Sequence, residues 1–271
     1  MPEGDTLFRA ARELDARLAS AVVTAFSSVL GERVDRGRVG RKITRVESRG
    51  KNLLVFFEDG WTLHTHLRMS GRWAVFPIAA RSPRPLERLA PRERVLIATS
   101  EWVAICSLAP VVRMLRGDGA RELGLGPDLL AAELNVAAAV RSLRAGDDVP
   151  IGDAVMMQGR VAGIGNVYKS EVLFLEGVDP FRRVSTLDDD ALTRVVTRAR
   201  ELMQANVRPG AGMRATRVRP DVRGATARLY VYRRSGEPCF RCGTRIAMRR
   251  QGLGRSTYFC SKCQGVTADS P

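Results

Sequence analysis

Leu7, Ala11, Leu14 and Leu18 recur at steps of four, three and four residues, which puts them on one face of a helix and predicts α-helix over residues 6–19. Asp5 stands just ahead of that run as a candidate N-cap. From residue 22 to residue 115 the pattern changes to short apolar runs, most of them separated by Gly or Pro. They predict strands over 42–47, 53–57, 62–67, 72–76, 94–99, 102–107 and 111–115. One helix followed by many short strands implies a β-sandwich or flattened barrel over residues 1–117. Residues 118–127, rich in glycine and charge, read as a linker. Beyond it the pattern is helical over 128–143, 151–157, 166–175 and 188–206, with Thr186 and Asp189 resembling a capping pair. Residues 207–227 hold three glycines, two prolines and five arginines without apolar periodicity, and are expected to form a mobile basic loop that closes a helical domain of residues 128–227. Residues 228–271 form a third segment, so the fold class is α+β.

Composition changes this picture at the surface. A chain of 271 residues exceeds the about 100–200 residues of an ordinary domain, in line with the division above. Of 44 basic residues only Lys42, Lys51, Lys169 and Lys262 are lysines, leaving 40 arginines against 29 acidic residues and a net charge of +15. Such a surface fits a polyanionic partner: nucleic acid first, an acidic membrane surface second, with merely solvated charge as the bland alternative. The sequence has no apolar stretch long enough to span a bilayer and no basic-then-apolar leader, so the protein is expected in the cytoplasm.

Four of the five cysteines fall near the C-terminus as Cys239-x2-Cys242 and Cys260-x2-Cys263, with 17 residues between the pairs. Two such turns can offer four thiolates to one tetrahedral zinc, a filled and therefore structural site. Two disulfides are the alternative, disfavoured in a reducing compartment. Cys106 lies in an apolar strand and is expected to be an inert core thiol. His64 and His66 share a strand face, but no third ligand lies nearby in the sequence, so both read as structural.

The N-terminal Met1-Pro2-Glu3-Gly4-Asp5-Thr6 offers a nucleophile, because removal of Met1 leaves a secondary amine on Pro2. An α-amino group has a pKa of about 7.7–8.0 and is far more often unprotonated near neutrality than a lysine. Glu3 beside it could serve as a general acid. Taken alone, these residues fit a frayed terminus better. Four further segments join them: Ser48-Arg49-Gly50-Lys51-Asn52-Leu53-Leu54; His64-Thr65-His66-Leu67-Arg68-Met69-Ser70-Gly71; Gly163-Ile164-Gly165-Asn166-Val167-Tyr168-Lys169-Ser170-Glu171; and the terminal cysteine hairpin. In this order the five resemble the formamidopyrimidine-DNA glycosylase and endonuclease VIII family. The Pro-Glu-Gly opening is similar to the endonuclease VIII branch.

The resemblance implies a monomeric, bifunctional glycosylase and AP lyase acting on duplex DNA with damaged bases or abasic sites, directed at oxidised pyrimidines. It implies Pro2 as the nucleophile, Glu3 as the proton donor and Lys51 as an active-site lysine. Asn166, in a helix-two-turn-helix, and Arg255, near the tip of the zinc hairpin, would hold the DNA backbone. Met69, with Arg68 beside it, would fill the gap left by an extruded nucleotide. The chain departs from its relatives at Ser70, where some carry a bulky residue, and lacks an arginine-x-phenylalanine wedge over 109–117. A purine-directed glycosylase and a non-catalytic zinc-containing DNA-binding protein stay open as other readings.

Overall fold

The computed structural model describes residues 2–80, 85, 86, 88–207, 229–252 and 254–267. The chain folds as two compact units, the first built on residues up to 123 and the second on residues from 124 onward. The expected basic loop falls almost wholly on residues outside the described set.

The first unit opens with α1 (Gly4–Leu18), followed by β1 (Ala25–Ser28) and the short α2 (Glu32–Arg36). Seven strands complete it: β2 (Ile43–Arg49), β3 (Asn52–Phe57), β4 (Trp61–His66), β5 (Arg72–Pro77), β6 (Glu93–Ala98), β7 (Trp102–Ser107) and β8 (Val111–Arg116). They form two antiparallel four-stranded sheets, ordered β1-β6-β7-β5 and β2-β3-β4-β8. One core joins Phe26, Val95 and Ile97 of the first sheet to Ile43, Leu53 and Val55 of the second, with Leu7, Leu14 and Leu18 of α1 packed among them. This is the β-sandwich with a leading helix that the pattern implied.

One local expectation in this unit is corrected. Helix α1 begins at Gly4 with Glu3 at the N-cap, so Asp5 lies inside the helix. There its buried carboxylate accepts the Thr6 N–H at 2.7 Å and pairs with Arg9 at 3.4 Å. The segment 118–127 contains a helical turn, α3 (Ala120–Leu123).

The second unit contains α4 (Val136–Arg144), α5 (Ile151–Ala154), α6 (Asn166–Leu175) and α7 (Asp189–Ala205), then the hairpin β9 (Ala247–Gln251) and β10 (Arg255–Phe259) and a last turn α8 (Ser261–Gln264). Its core clusters Leu143, Ile151, Val172, Leu192, Val196 and Met203. The predicted helix over 128–143 starts eight residues late, because Asn135 caps it by accepting the Ala138 N–H at 2.9 Å. The carbonyls of Leu129, Ala131 and Ala132, which a longer helix would have used, instead accept from Arg200. The predicted helix over 151–157 is a single turn. The cap of α7 is Asp188, accepting the Ala191 N–H at 2.6 Å, and Thr186 instead turns its hydroxyl to the Arg183 carbonyl.

Candidate active site and zinc-bearing DNA interface

In the first unit the register places the candidate residues at one end of the sandwich. Strands β2 and β3 pair up to Arg49 and Asn52, leaving Gly50 and Lys51 as a two-residue loop in which Gly50 takes φ +57. A tight hairpin loop needs such a positive φ, and glycine supplies it without a Cβ clash. Asn52 lies opposite His66 across β3 and β4, so Lys51 stands beside the turn that leaves β4. Helix α1 runs toward the same end: Ser20 N–H meets the Ile43 carbonyl at 2.8 Å, and Asp15 accepts the Val46 N–H at 2.7 Å. Eleven residues of helix back from Asp15, about 16 Å at 1.5 Å per residue, carry Gly4 toward the Arg49–Lys51 loop. Pro2 and Glu3 are thereby brought to the end that holds Lys51.

Glu3 is fully buried, and its carbonyl starts α1 by accepting from Thr6 at 2.9 Å and Leu7 at 3.2 Å. The turn after β4 closes by a bond from Gly71 N–H to the Leu67 carbonyl at 2.8 Å. Within it Arg68 takes φ +46, and Met69 is 60% exposed. His64 and His66, alike in sequence, differ in place. His64 is buried with Nε2 2.8 Å from Asn52 Oδ1, and burial, then His66 and Arg113, depress its pKa to about 4. His66 is partly exposed, accepts the Arg68 N–H on Nδ1 at 3.1 Å, and is held below its usual pKa by burial and by the charges of Lys51 and Arg68. Sequence reasoning missed His66 as a member of the Lys51, Arg68 and Met69 cluster. The available signal was its position as the last residue of a strand before an irregular turn. Cys106 is buried, and burial pushes its thiol up, as an inert core cysteine requires.

In the second unit α6 is the organiser, buried from Asn166 through Phe174. Its N-cap is Gly165, so Asn166 is the first helical residue and not a cap. Asn166 is 5% exposed and donates its amide to the Ser256 carbonyl of β10 at 2.6 Å, while its Oδ1 is buried with no hydrogen-bond partner among the described residues. One turn on, Lys169, 1% exposed, donates to Thr257 Oγ1 at 2.8 Å. Thr257 passes that bond to Gln251 at 2.9 Å, and Gln251 to the Pro180 carbonyl at 2.9 Å. These bonds fix the hairpin on α6, and Arg255 opens β10 beyond the Gly252 to Gly254 turn with its side chain exposed.

The sulfurs of Cys239, Cys242, Cys260 and Cys263 all lie within 4.8 Å of one another, with Cys239 to Cys263 at 3.9 Å and Cys242 to Cys260 at 3.4 Å. Four thiolates at about 2.3 Å from a tetrahedral zinc stand about 3.8 Å apart, so the set fits one structural zinc. Among the described residues it is the one group of three or more His, Cys, Asp or Glu that could hold a metal.

Three family models match the chain in order: the formamidopyrimidine-DNA glycosylase N-terminal domain over residues 1–104, the formamidopyrimidine-DNA glycosylase H2TH domain over 125–218, and the zinc finger found in FPG and IleRS over 236–266. The chain is 39% identical to a probable endonuclease 8 2 of Streptomyces coelicolor, covering 100% of this chain and 96% of that protein. The chain belongs to the formamidopyrimidine-DNA glycosylase and endonuclease VIII family. Its members are DNA glycosylases and AP lyases of base excision repair, and this chain is one of them. It is also 34% identical to a DNA-(apurinic or apyrimidinic site) lyase Nei2 of Mycolicibacterium smegmatis, over 97% of this chain and 99% of that one. A solved complex of wild-type Lactococcus lactis Fpg (MutM) with DNA containing N7-benzyl-Fapy-dG shares the fold, with a TM-score of 0.78 at 23% identity, over 98% of this chain and 100% of that one.

Proposed function

We propose that the protein excises oxidised pyrimidines from duplex DNA through a Schiff base on Pro2 and then cuts the strand by β,δ-elimination. The observation that carries this reading is the convergence of Pro2, the fully buried Glu3, Lys51 and the Met69 turn at one end of the sandwich. With Met1 removed, the Pro2 nitrogen is a secondary amine just ahead of α1, and its uncharged form is the nucleophile. Its lone pair attacks C1′, the glycosidic bond breaks, and the departing base takes a proton, supplied from Glu3. The Pro2 nitrogen gives up its proton, the C1′–O4′ bond opens with O4′ taking a proton, and the resulting iminium withdraws electrons and acidifies C2′–H. Loss of that proton expels the 3′ phosphate, and a second elimination expels the 5′ phosphate.

Lys51, on a loop whose glycine lets the backbone approach a ligand, is assigned to the phosphate or sugar beside the reacting carbon. Arg255 and Asn166 are assigned to flanking phosphates, and Met69 with Arg68 to the gap left by the extruded nucleotide. Identities of 39% and 34% to endonuclease 8 and Nei2 proteins, against 31% to a formamidopyrimidine-DNA glycosylase of Rhizorhabdus wittichii, support the pyrimidine-directed branch. The test is borohydride trapping on a panel of oxidised-pyrimidine, formamidopyrimidine and abasic duplexes. Pro2→Gly is expected to weaken trapping, and Glu3→Gln to abolish base excision while sparing cleavage at a preformed abasic site. No trapped adduct on any substrate, from protein with Met1 removed, would overturn the Schiff base on Pro2.

A further inference from the structure

Residues 230–234 lead into the zinc hairpin through a turn that its neighbours fix on both sides. Glu171, buried on α6, accepts the N–H groups of Tyr230, Val231 and Tyr232 at 2.7, 2.9 and 2.9 Å. On the other side the buried Arg234 is held by Glu237 at 3.0 Å and the Pro238 carbonyl at 2.7 Å, and stacks 3.5 Å over Phe240. Arg234 N–H reaches back to the Val231 carbonyl at 3.0 Å and closes a four-residue turn. The third residue of this turn is Arg233 at φ +61, the place where type II turns favour glycine because a Cβ is strained there.

Nearby arginines are engaged by the fold: Arg241 with the Phe174 and Leu175 carbonyls, Arg245 with the Gly236 carbonyl, Arg249 over the Phe181 ring. Arg233 differs. It is exposed, and among the described residues its guanidinium makes no hydrogen bond or ion pair. It lies 5.7 Å from the face of Tyr232, which in turn meets Tyr258 edge-on at 5.2 Å. Strained backbone of this kind persists where surrounding contacts over-determine it, and such positions cluster at ligand clamps. A guanidinium with its donors unspent, resting against an aromatic ring, suits the bidentate capture of a phosphate.

We propose that Arg233 is a phosphate-binding residue of the zinc module, gripping the DNA backbone in addition to Arg255. The proposal rests on the DNA-directed reading above. The left-handed turn supplies its aim, so little order is lost when it binds.

The test compares wild type, Arg233→Gly, Arg233→Asn, Arg233→Lys and Arg255→Ala in titrations of a labelled duplex carrying a stable abasic analogue, over a range of salt, with thermal unfolding alongside. Arg233→Gly and Arg233→Asn are expected to keep or raise Tm, since both residues tolerate positive φ. Their affinity should fall about tenfold at low salt, and the slope of log K against log salt should flatten by about 0.9. Arg233→Lys should retain most of the slope. Unchanged affinity and slope in the Gly and Asn variants, while wild type binds and Arg255→Ala flattens the slope, would overturn the Arg233 assignment alone. A lowered Tm in both would overturn it too, as packing. Failure of wild type to bind duplex would remove the DNA reading together with it.

Discussion

His64 is a neutral imidazole by position. Its folded pKa of about 4 lies below the ordinary 6.5 because burial removes the water that would stabilise the cation, with His66 and Arg113 adding repulsion. The folded form therefore binds fewer protons than the unfolded chain between these values. Stability from this group is full above about pH 6.5 and drains as pH falls toward 4, by about 3 kcal/mol in all. Urea midpoints measured from pH 7.5 to 4.5 should fall more steeply for wild type than for His64→Gln, which has no such proton to take up. Gly71 is a second residue-scale case. A Cβ there would stand 2.7 Å from the Leu67 carbonyl oxygen and 2.8 Å from its Cα, which are backbone atoms that cannot swing aside. Gly71→Ala is expected to cost about 1–3 kcal/mol and to displace the Met69 turn. Single-turnover excision should slow more than binding to an abasic duplex does.

At the scale of elements, α6 is less a surface helix than a spine. It carries Asn166 and Lys169 toward β10 and Glu171 toward residues 230–232. Glu171 Oε2 serves the Tyr230 N–H, and Oε1 serves those of Val231 and Tyr232. Burial pushes its carboxyl up, and the three donors and Arg234 oppose that shift. Glu171→Gln keeps one acceptor oxygen and turns an amide donor toward a remaining N–H, so it should cost about 1–3 kcal/mol. Limited proteolysis should then cut around residues 229–235 sooner than in wild type, and zinc should be lost to a chelator more readily. An unchanged digest and chelation rate would show that Glu171 does not anchor the hairpin.

For the whole molecule, a net charge of +15 overstates the free positive surface. Arg38 is spent on Asp59, with nitrogen to oxygen distances of 3.0 and 2.8 Å, and Arg160 on the Leu143 and Asp147 carbonyls. Arg144 serves Asp189 and the Leu187 carbonyl, and Arg200 the carbonyls ahead of α4. The salt dependence of DNA binding should therefore report a few phosphate contacts rather than the total charge. Arg255→Ala should flatten the slope of log K against log salt by about 0.9, with similar loss on damaged and undamaged duplexes, because a phosphate contact carries no base information. Met69→Ala should leave the slope unchanged and slow excision, since an apolar side chain acts on the extruded state. Wild-type excision rates for Met69→Ala would make Met69 a bystander.

Periodicity alone determined α1, which buries one face and writes that face into its spacing, and most strands of the sandwich were legible as short apolar runs, whereas α6, buried from Asn166 through Phe174, was legible as a helical run opening after the Gly163 and Gly165 turn. Cysteine spacing likewise determined the zinc set, since ligands supplied in pairs by short turns need no long-range information. The family was legible for the same reason, its motifs being local strings. The start of α4 was decided by tertiary bonds, since Arg200 takes the carbonyls that would have lengthened it, whereas α1 starts after Glu3 rather than Asp5 through local bonds to the Glu3 carbonyl. Asn166 looked like a cap and became a clamp, because Ser256, 90 residues on, supplies the acceptor that its amide meets. The difference between His64 and His66 came from Asn52 on one side and the Arg68 turn on the other. The strain at Arg233 had no sequence signal. A left-handed arginine is a property of the contacts around it, and those contacts come from Glu171 and Glu237, at different distances along the chain.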